Sequence, residues 1–216
     1  MVKTLERAAT TVDAADLGRV LASVLPHAGK ARDMLPVLEH LQVTVAGGRL
    51  SAAATDRYTI GSDSLALSGD VSAEWVFLLH RDDAAGLVRS LRPHVKRHDP
   101  SPTVQLAYEV TSGSPVLVVT VPGAVHRIVG NNDNHFPKWQ QHVPDDVPAR
   151  QAPGLPDGQT ALTPDNLTRF AVSAKQHDGP VRFLFRHDPE FPERLRAVQV
   201  RIGETFRGAV QPVKVP

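Results

Sequence analysis

Few side chains in this sequence could carry out catalysis, and they do not cluster. The chain has no cysteine, which excludes a thiol nucleophile, a disulfide scaffold and cysteine-bound metal. His94 and His98 have the i,i+4 spacing that can offer two ligands from one helix face, but no acidic zinc motif accompanies them. Ser112 and Ser114 flank the glycine of a hairpin turn and lack the strand–helix setting of a nucleophile elbow. We therefore expect a non-enzyme with no cofactor and no metal, and keep a metal enzyme that uses the two histidines as an alternative.

Cationic side chains are the second candidate set. The 24 Lys and Arg nearly balance the 23 Asp and Glu, so any site for a polyanion must come from local sorting of charge. The cations on predicted helices or at their ends are Arg19, Arg89, Arg92, Lys96, Arg97, Arg169 and Lys175. They could contact the phosphates of DNA without reading its sequence. Alternatively, they could simply occupy solvated helix faces and last turns, where the helix dipole favours positive charge.

A repeated pattern predicts the helices that carry these cations. Leu-x-Arg, with an apolar residue four positions after the Leu, occurs over 17–21, 87–91 and 167–171. Residues i and i+4 share one helix face, whereas residue i+2 points away from it. Each stretch therefore predicts an amphipathic helix that buries its Leu side and presents its Arg elsewhere. Thr163 is the expected N-cap of the third helix, with Pro164 at its first position.

Alternating apolar residues predict strands between the helices. The predicted strands are 41–45, 50–56, 104–108, 116–121, 181–185, 198–202 and 206–210. Turns are expected at Gly47-Gly48 and near 112–114, and Asp56 is expected to cap a turn. The unit is one helix followed by several antiparallel strands, and it occurs three times. Helices segregated on one face of antiparallel sheet define an α+β fold.

Proline and glycine mark the main break in the chain. The stretch 143–158 is rich in both residues and lacks periodicity, which predicts a linker. We therefore expect a complete two-unit domain over 1–144, a linker over 145–158 and a single unit over 159–216. No apolar run approaches the roughly 20 residues of a membrane span, and the first residues lack the apolar core of a signal peptide. We expect a cytoplasmic protein without membrane contact.

Taken in order, four parts of the sequence resemble the bacterial β sliding clamp family, the β subunit of DNA polymerase III. They are 34–41 with 51–60, the Phe-Pro segment 134–144, the helix 163–175 and the terminal strand 211–215. Domains of this family contain two such units, so the resemblance likens 1–144 to the middle domain and 159–216 to half of the last domain. A half domain leaves a sheet edge and an apolar helix face uncovered. We therefore expect a homo-oligomer in which another chain covers them.

The resemblance also implies two binding surfaces. Inward helices would face duplex DNA without sequence preference, and a pocket would take short linear motifs from DNA polymerases or repair proteins. Carried over by position, the pocket rim is Thr55, Arg57, Tyr58, Thr59, Ile60, Pro137, His142, Gln211, Pro212, Val213 and Lys214. The family's polarizable Met positions are Gln211 and Val213 here, and its Gly-His pair is Arg57-Tyr58. With these polar residues, the pocket either forms hydrogen bonds with a different peptide or no longer binds a peptide.

Two functions follow from the resemblance. As a processivity factor the protein must close a ring, and with three units per chain four chains would supply the twelve units of a bacterial-type ring. As a clamp-derived regulator it would bind clamp-motif peptides, or the host clamp itself, without encircling DNA. The solution mass separates the two, because only the first requires a closed assembly.

Overall fold

The computed structural model describes residues 7–31, 35–67, 73–97, 101–131, 135–143, 161–185 and 197–213. The helices are α1 (Ala14–Val24), α2 (Arg81–Arg97) and α3 (Pro164–Ala174). The strands are β1 (Arg7–Asp13), β2 (His40–Ala46), β3 (Arg49–Thr55), β4 (Thr59–Ala66), β5 (Trp75–His80), β6 (Thr103–Thr111), β7 (Ser114–Val121), β8 (Ala124–Val129), β9 (Val181–Leu184), β10 (Val198–Ile202) and β11 (Phe206–Val210). Short 3-10 turns occupy Leu25–His27, Pro36–Glu39 and Gln140–His142. None of these described helices is long and apolar enough to cross a membrane.

The first two units exchange their leading strands. Unit one consists of β1 and α1 followed by β2, β3 and β4, and unit two consists of β5 and α2 followed by β6, β7 and β8. β1 pairs with β6 of the second unit, and β5 pairs with β2 of the first. Leu17 and Leu21 of α1 share one buried core with Leu87 and Leu91 of α2. The exchanged strands and the shared core join these two units, which we call the first domain.

The strands form two antiparallel sheets. One has the order β1-β6-β7-β8, and the other has the order β5-β2-β3-β4-β11-β10-β9. The third unit enters the larger sheet through β11, whose Val210 pairs with Thr59 and whose Arg207 pairs with Ser62 of β4. The sequence predicted that the third unit leaves one sheet edge uncovered, and β9 is the last described strand on that side of the sheet. The other edge of the third unit, β11, is covered by β4 of the same chain.

Capping side chains determine where two helices begin. The Asp13 carboxylate precedes α1 and accepts hydrogen bonds from the backbone N–H groups of Ala15 and Asp16, at 2.7 and 3.2 Å. Thr163 precedes α3, and its hydroxyl accepts from the N–H of Asn166 at 3.4 Å. Pro164 occupies the first helical position, where its missing N–H removes no helical bond. The predicted start of the third helix is confirmed.

The face of α3 that is buried is not the one that contains Leu167 and Ala171, which the repeated pattern predicts to be buried. Its buried residues are Asn166, Phe170 and Ser173, whereas Leu167 is 39% exposed and Ala171 is exposed as well. This difference arises because α3 packs against fewer helices than α1 and α2 do. α1 and α2 cover each other, while α3 contacts α1 on one side and no described helix covers its other side. The expected uncovered helix face is therefore present, and it contains the leucine that the pattern assigned to the core.

Candidate functional site

A polar network ties α1 and the third unit to β4. The carboxylate of Asp63 is fully buried and accepts from Arg19 Nη1, at 3.0 and 2.8 Å, and from Ser23 Oγ, at 2.8 Å. Arg19 Nη1 also donates to Thr205 Oγ1 at 2.9 Å, and His177 Nε2 lies 3.1 Å from Asp63 Oδ2 but is poorly aligned for a hydrogen bond. Thr205 and His177 both belong to the third unit. One buried carboxylate thus joins three parts of the chain.

The balance of these contacts keeps Asp63 ionised. Burial by itself raises the pKa of this carboxyl, but polar contacts from His177 and Thr205 and the charge of Arg19 outweigh burial and leave the pKa below its usual value. A buried carboxylate that lost its cation would be strongly destabilising. The ion pair is therefore part of the structural framework at this junction.

A second carboxylate lies at the other end of β4. Asp56 Oδ1 accepts from the backbone N–H groups of Tyr58 and Thr59, at 3.1 and 2.8 Å, which closes the β3–β4 turn. Asp56 Oδ2 accepts from Arg169 Nη1 of α3, which also donates to Thr59 Oγ1 at 3.1 Å. The predicted turn-capping role of Asp56 is confirmed, and the same side chain holds the third unit in place.

Two of the seven predicted DNA-facing cations, Arg19 and Arg169, thus form ion pairs with buried carboxylates. The side chains of Arg19 and Arg169 are only 22% and 19% exposed, because each contacts its carboxylate. A phosphate would have to compete with a buried carboxylate for each of them. Contact with DNA stays a prediction for this pair.

The core of the junction is built around His27. This side chain is fully buried, and burial, followed by the charge of Arg169, lowers its pKa to about 3. Its Nε2 lies 3.1 Å from Ser173 Oγ, and its ring centroid lies 4.7 Å from that of Phe170. A Cβ on Gly61 of β4 would lie 2.2 Å from the ring of His27, so only glycine fits there. His27 is accordingly a neutral packing residue that joins β4 to α3.

Three of the predicted DNA-facing cations, Arg19, Arg92 and Lys175, line a groove on the helix layer. A cavity of about 540 Å³ lies between α1, α2 and the end of α3, and Ala15, Ala22 and Leu91 contribute to its apolar lining. Arg92 and Lys175 also line it, and both are exposed. Arg89 is exposed on α2 as well, and Lys96 and Arg97 follow on the same helix, although their side chains lie outside the described residues. The structure therefore brings Arg92 and Lys175 together on the helix side of the sheets.

Some of the predicted pocket residues lie at the junction between β4 and the segment that follows β11. The N–H of Gln211 donates to the carbonyl of Tyr58 at 2.8 Å, and the N–H of Val213 donates to the carbonyl of Ala161 at 2.9 Å. Tyr58 is 55% exposed and Val213 is 41% exposed. The Arg57 guanidinium lies 5.7 Å from the centroid of the Tyr58 ring, within cation–π distance. Arg57 and Tyr58 thus form an exposed pair of cation and aromatic ring, and the segment that contains the exposed Val213 begins beside it at Gln211.

Several members of the predicted rim have other positions. Thr55 and Thr59 are buried and hold the turn, because Thr55 Oγ1 donates to the Thr59 carbonyl at 2.8 Å. Pro137 and His142 are exposed on a separate segment, which Trp139 anchors by donating from Nε1 to Gln42 Oε1 at 3.0 Å. Ile60 pairs with Ala209 of β11 beside the surface, and Lys214 lies outside the described residues. We therefore define the junction surface as Arg57, Tyr58, Gln211, Pro212 and Val213.

Sequence reasoning missed the two carboxylates that engage the arginines. The available signal was Asp63, which interrupts a strand of small and apolar residues and so needs a buried partner. The metal alternative gains no support within the described part of the chain, where no group of three His, Asp or Glu side chains is arranged to hold a metal ion. His98 of that alternative lies outside the described residues.

Repeated helix-plus-strand units with exchanged leading strands, joined to a further unit by strand addition, define the architecture of a sliding clamp. The chain has the fold of the bacterial DNA polymerase III β subunit, which confirms the fold and the resemblance expected from the sequence. The structure is similar to that of the DNA polymerase sliding clamp from Bacillus subtilis, with a TM-score of 0.70 at 13% identity, covering 100% of this chain and 67% of that one.

Two further solved structures show the same similarity. The Pseudomonas aeruginosa sliding clamp bound to griselimycin gives a TM-score of 0.69 at 13% identity, with 100% of this chain and 68% of that chain covered. The DNA polymerase III β subunit from Thermotoga maritima gives 0.62 at 14% identity, with 100% and 68% covered. The chain thus spans about two thirds of the length of these clamps. Neither a protein-family profile nor a curated protein sequence matches it.

Proposed function

We propose that this protein is a non-catalytic, clamp-like factor that tethers replication or repair proteins to duplex DNA and binds their linear motifs. The observation that carries the proposal is the clamp fold over 96–100% of the chain. Sliding clamps act as processivity factors rather than enzymes, and a cytoplasmic location belongs to the same proposal. A near-neutral net charge of +1 suits a protein that holds DNA by topology and not by high affinity.

Contact with DNA is assigned to the exposed cations of the helix layer. Arg89 and Arg92 lie on the solvent side of α2, whereas Arg19 and Arg169 stabilise the junction. Phosphate contacts are independent of sequence and weaken as salt rises, and each lost contact lowers the salt slope by about 1. We therefore expect R89E/R92E to reduce retention on circular duplex DNA and to flatten its salt dependence.

The matched control for this experiment is Arg49→Glu. Arg49 is an exposed cation of β3, on the face opposite to its buried neighbour Leu50. The control should retain DNA like the parent protein, since it changes the net charge without touching the helices. Equal retention by R89E/R92E and the parent would contradict the assignment.

Peptide binding is assigned to the junction surface. Support comes from the exposed Tyr58 and Val213 beside Arg57, and from the Pseudomonas aeruginosa clamp of the same fold that binds griselimycin. Aromatic anchors at such sites typically contribute about 2 kcal/mol to the binding free energy. Tyr58→Ala should therefore weaken the affinity for a fluorescent clamp-motif peptide by at least about 10-fold. Val76→Ala, an exposed apolar residue of β5, is the control and should bind normally. Unchanged binding by Tyr58→Ala would refute the assignment.

A clamp-derived regulator is the second candidate function. Because the chain spans only about two thirds of a bacterial clamp, one chain supplies fewer units than the clamp subunits it resembles. A regulator needs the junction surface but no closed ring. Light scattering across a concentration series distinguishes the two: an assembly near four times 23.4 kDa supports the ring, whereas a smaller species that binds peptide but not DNA supports the regulator.

A further inference from the structure

The β3–β4 turn holds an arginine in a backbone conformation that suits glycine. Arg57 has a φ of +81°, in the left-handed region that residues with a Cβ rarely adopt. Its N–H donates to Thr55 Oγ1 at 3.1 Å, which fixes this conformation from one side. The next N–H, that of Tyr58, donates to Asp56 Oδ1 at 3.1 Å and fixes it from the other. Glycine would form the same turn without strain, so the turn itself does not require the guanidinium of Arg57.

The guanidinium of Arg57 is exposed, and the nearby carboxylate does not neutralise it. Asp56 is only 5% exposed, and its Oδ2 accepts from Arg169 of α3. Among the described residues, no carboxylate forms an ion pair with Arg57. Its guanidinium carbon lies 5.7 Å from the centroid of the Tyr58 ring. A cation–π contact of this kind uses none of the five N–H donors of an arginine, so they are available to an acceptor from a partner.

Apolar side chains lie next to this cation. Tyr58 is 55% exposed, and its carbonyl accepts from the N–H of Gln211 at 2.8 Å, which fixes the start of the segment that contains the exposed Val213. The junction surface thus combines one cation with an aromatic ring and aliphatic side chains, and Arg and Tyr are enriched among the residues that dominate peptide binding. A polyanion such as DNA is held by several cations together. The composition therefore favours a peptide with one carboxylate among apolar residues.

We propose that Arg57 determines the specificity of the junction surface and selects linear motifs in which an Asp or Glu lies next to the apolar anchor residues. A planar guanidinium can donate two parallel hydrogen bonds to one carboxylate, and no neutral side chain offers an equivalent acceptor. The strain at Arg57 is kept because its side chain selects the partner. This inference rests on the proposed peptide binding and adds the chemical class of the motif.

An aspartate scan of the peptide is the first test. Copies of the fluorescent clamp-motif peptide carry a single Asp, or the neutral Asn of the same shape, at each position in turn. At one position the Asp copy should bind the parent protein about 10-fold more tightly than the Asn copy, because hydrogen bonds between charged groups are stronger than neutral ones. This advantage should shrink as the salt concentration rises, since Arg57 is exposed.

Substitutions of Arg57 show whether this residue recognises the carboxylate. Arg57→Gly should bring the affinity ratio between the Asp and Asn copies to about 1, whereas Arg57→Lys should keep part of the preference. Arg57→Glu should reverse the preference, so that a Lys copy binds best at the same position. Arg49→Gln is the matched control, because it removes an exposed cation of β3 outside the turn. It should keep the ratio of the parent protein.

Thermal unfolding separates a role in binding from a role in the fold. Because glycine tolerates the positive φ, Arg57→Gly should raise the melting temperature by up to about 2–4 °C while it loses the Asp preference. An arginine that only supports the turn would give the opposite result. Its loss would lower the melting temperature and weaken the Asp and Asn copies equally, and that outcome would overturn the proposal.

Failure of this inference can be distinguished from failure of the proposed function. If the parent protein binds the peptides but does not discriminate between the Asp and Asn copies at any position, peptide binding stands and the inference is overturned. If no peptide of the series binds, both are overturned. If Arg57→Gly lowers retention on circular duplex DNA and keeps the parent affinity ratio, then Arg57 contacts DNA and the assignment to a peptide carboxylate is wrong.

Discussion

The first domain and the third unit have the same sequence pattern but different surroundings. Leu17 and Leu87 are buried between two helices, while Leu167, at the same place in the repeat, is partly exposed on α3. At its other border the third unit is held by the pairing of β11 with β4, by the ion pair between Arg169 and Asp56, and by the contacts of Thr205 and His177 with the Arg19–Asp63 pair. The comparison shows that the third unit is held at this border by strand pairing, one ion pair and two polar contacts, while no described helix covers the other side of α3.

The largest expected effect comes from the carboxylate that joins the two regions. Asp63→Ala removes the partner of Arg19 and leaves a cation facing the buried junction, which should cost about 3–5 kcal/mol in the free energy of unfolding. Asp16→Ala is the control, because Asp16 lies 3.6 Å from the same guanidinium but is 55% exposed, and an exposed pair contributes about 0–1 kcal/mol. Urea denaturation measures both. Similar losses for the two variants would mean that the buried ion pair does not hold the junction.

The next prediction tests the comparison directly. Leu17→Ala should cost about 2–5 kcal/mol, since it empties a packed core position. Leu167→Ala should cost less than about 1 kcal/mol at dilutions where the protein is monomeric, because surface changes have small effects. Equal costs for the two variants would show that the third unit buries its leucine as the first domain does.

Glycine at the junction offers a third test. Gly61→Ala would place a Cβ 2.2 Å from the ring of His27, and such overpacking should cost about 1–3 kcal/mol. Gly86→Ala within α2 is the control, because the nearest atom to its Cβ is a flexible Arg89 nitrogen at 3.9 Å. It should stabilise the protein by about 0.5–1 kcal/mol through helix propensity. If Gly61→Ala leaves the thermal unfolding temperature unchanged, then β4 and His27 are not packed as closely as described.

The last prediction concerns His27 and is a dependence of stability on pH. The pKa of His27 falls from 6.5 to about 3 on folding, so the unfolded chain binds a proton that the folded chain does not. Its contribution is fully present above pH 6.5 and is lost as pH falls toward 3. Between pH 6 and 4 it adds a slope of up to about 1.4 kcal/mol per pH unit. His27→Gln should remove that part of the slope in urea titrations, and a parent-like slope in the variant would contradict the assignment.

The sequence predicted more of the fold than of the site. The alternation over 104–108 and the Thr163 cap each have local causes, and the structure contains the expected elements there. Arg19 and Arg169 are different, because their carboxylate partners are 44 and 113 residues away. No local pattern identifies such partners, and the two arginines were accordingly predicted as DNA-facing cations without a partner in the chain.

What the sequence determined by itself is the repeated unit: amphipathic helices with their caps, alternating strands, the Asp56 turn and the absence of thiol chemistry. Each follows from periodicity, capping or composition within a few residues. The tertiary structure decided which face of α3 is buried, which arginines are engaged, and that β11 closes onto β4. These outcomes depend on neighbours that are distant in sequence, since the burial of a side chain is set by what packs against it.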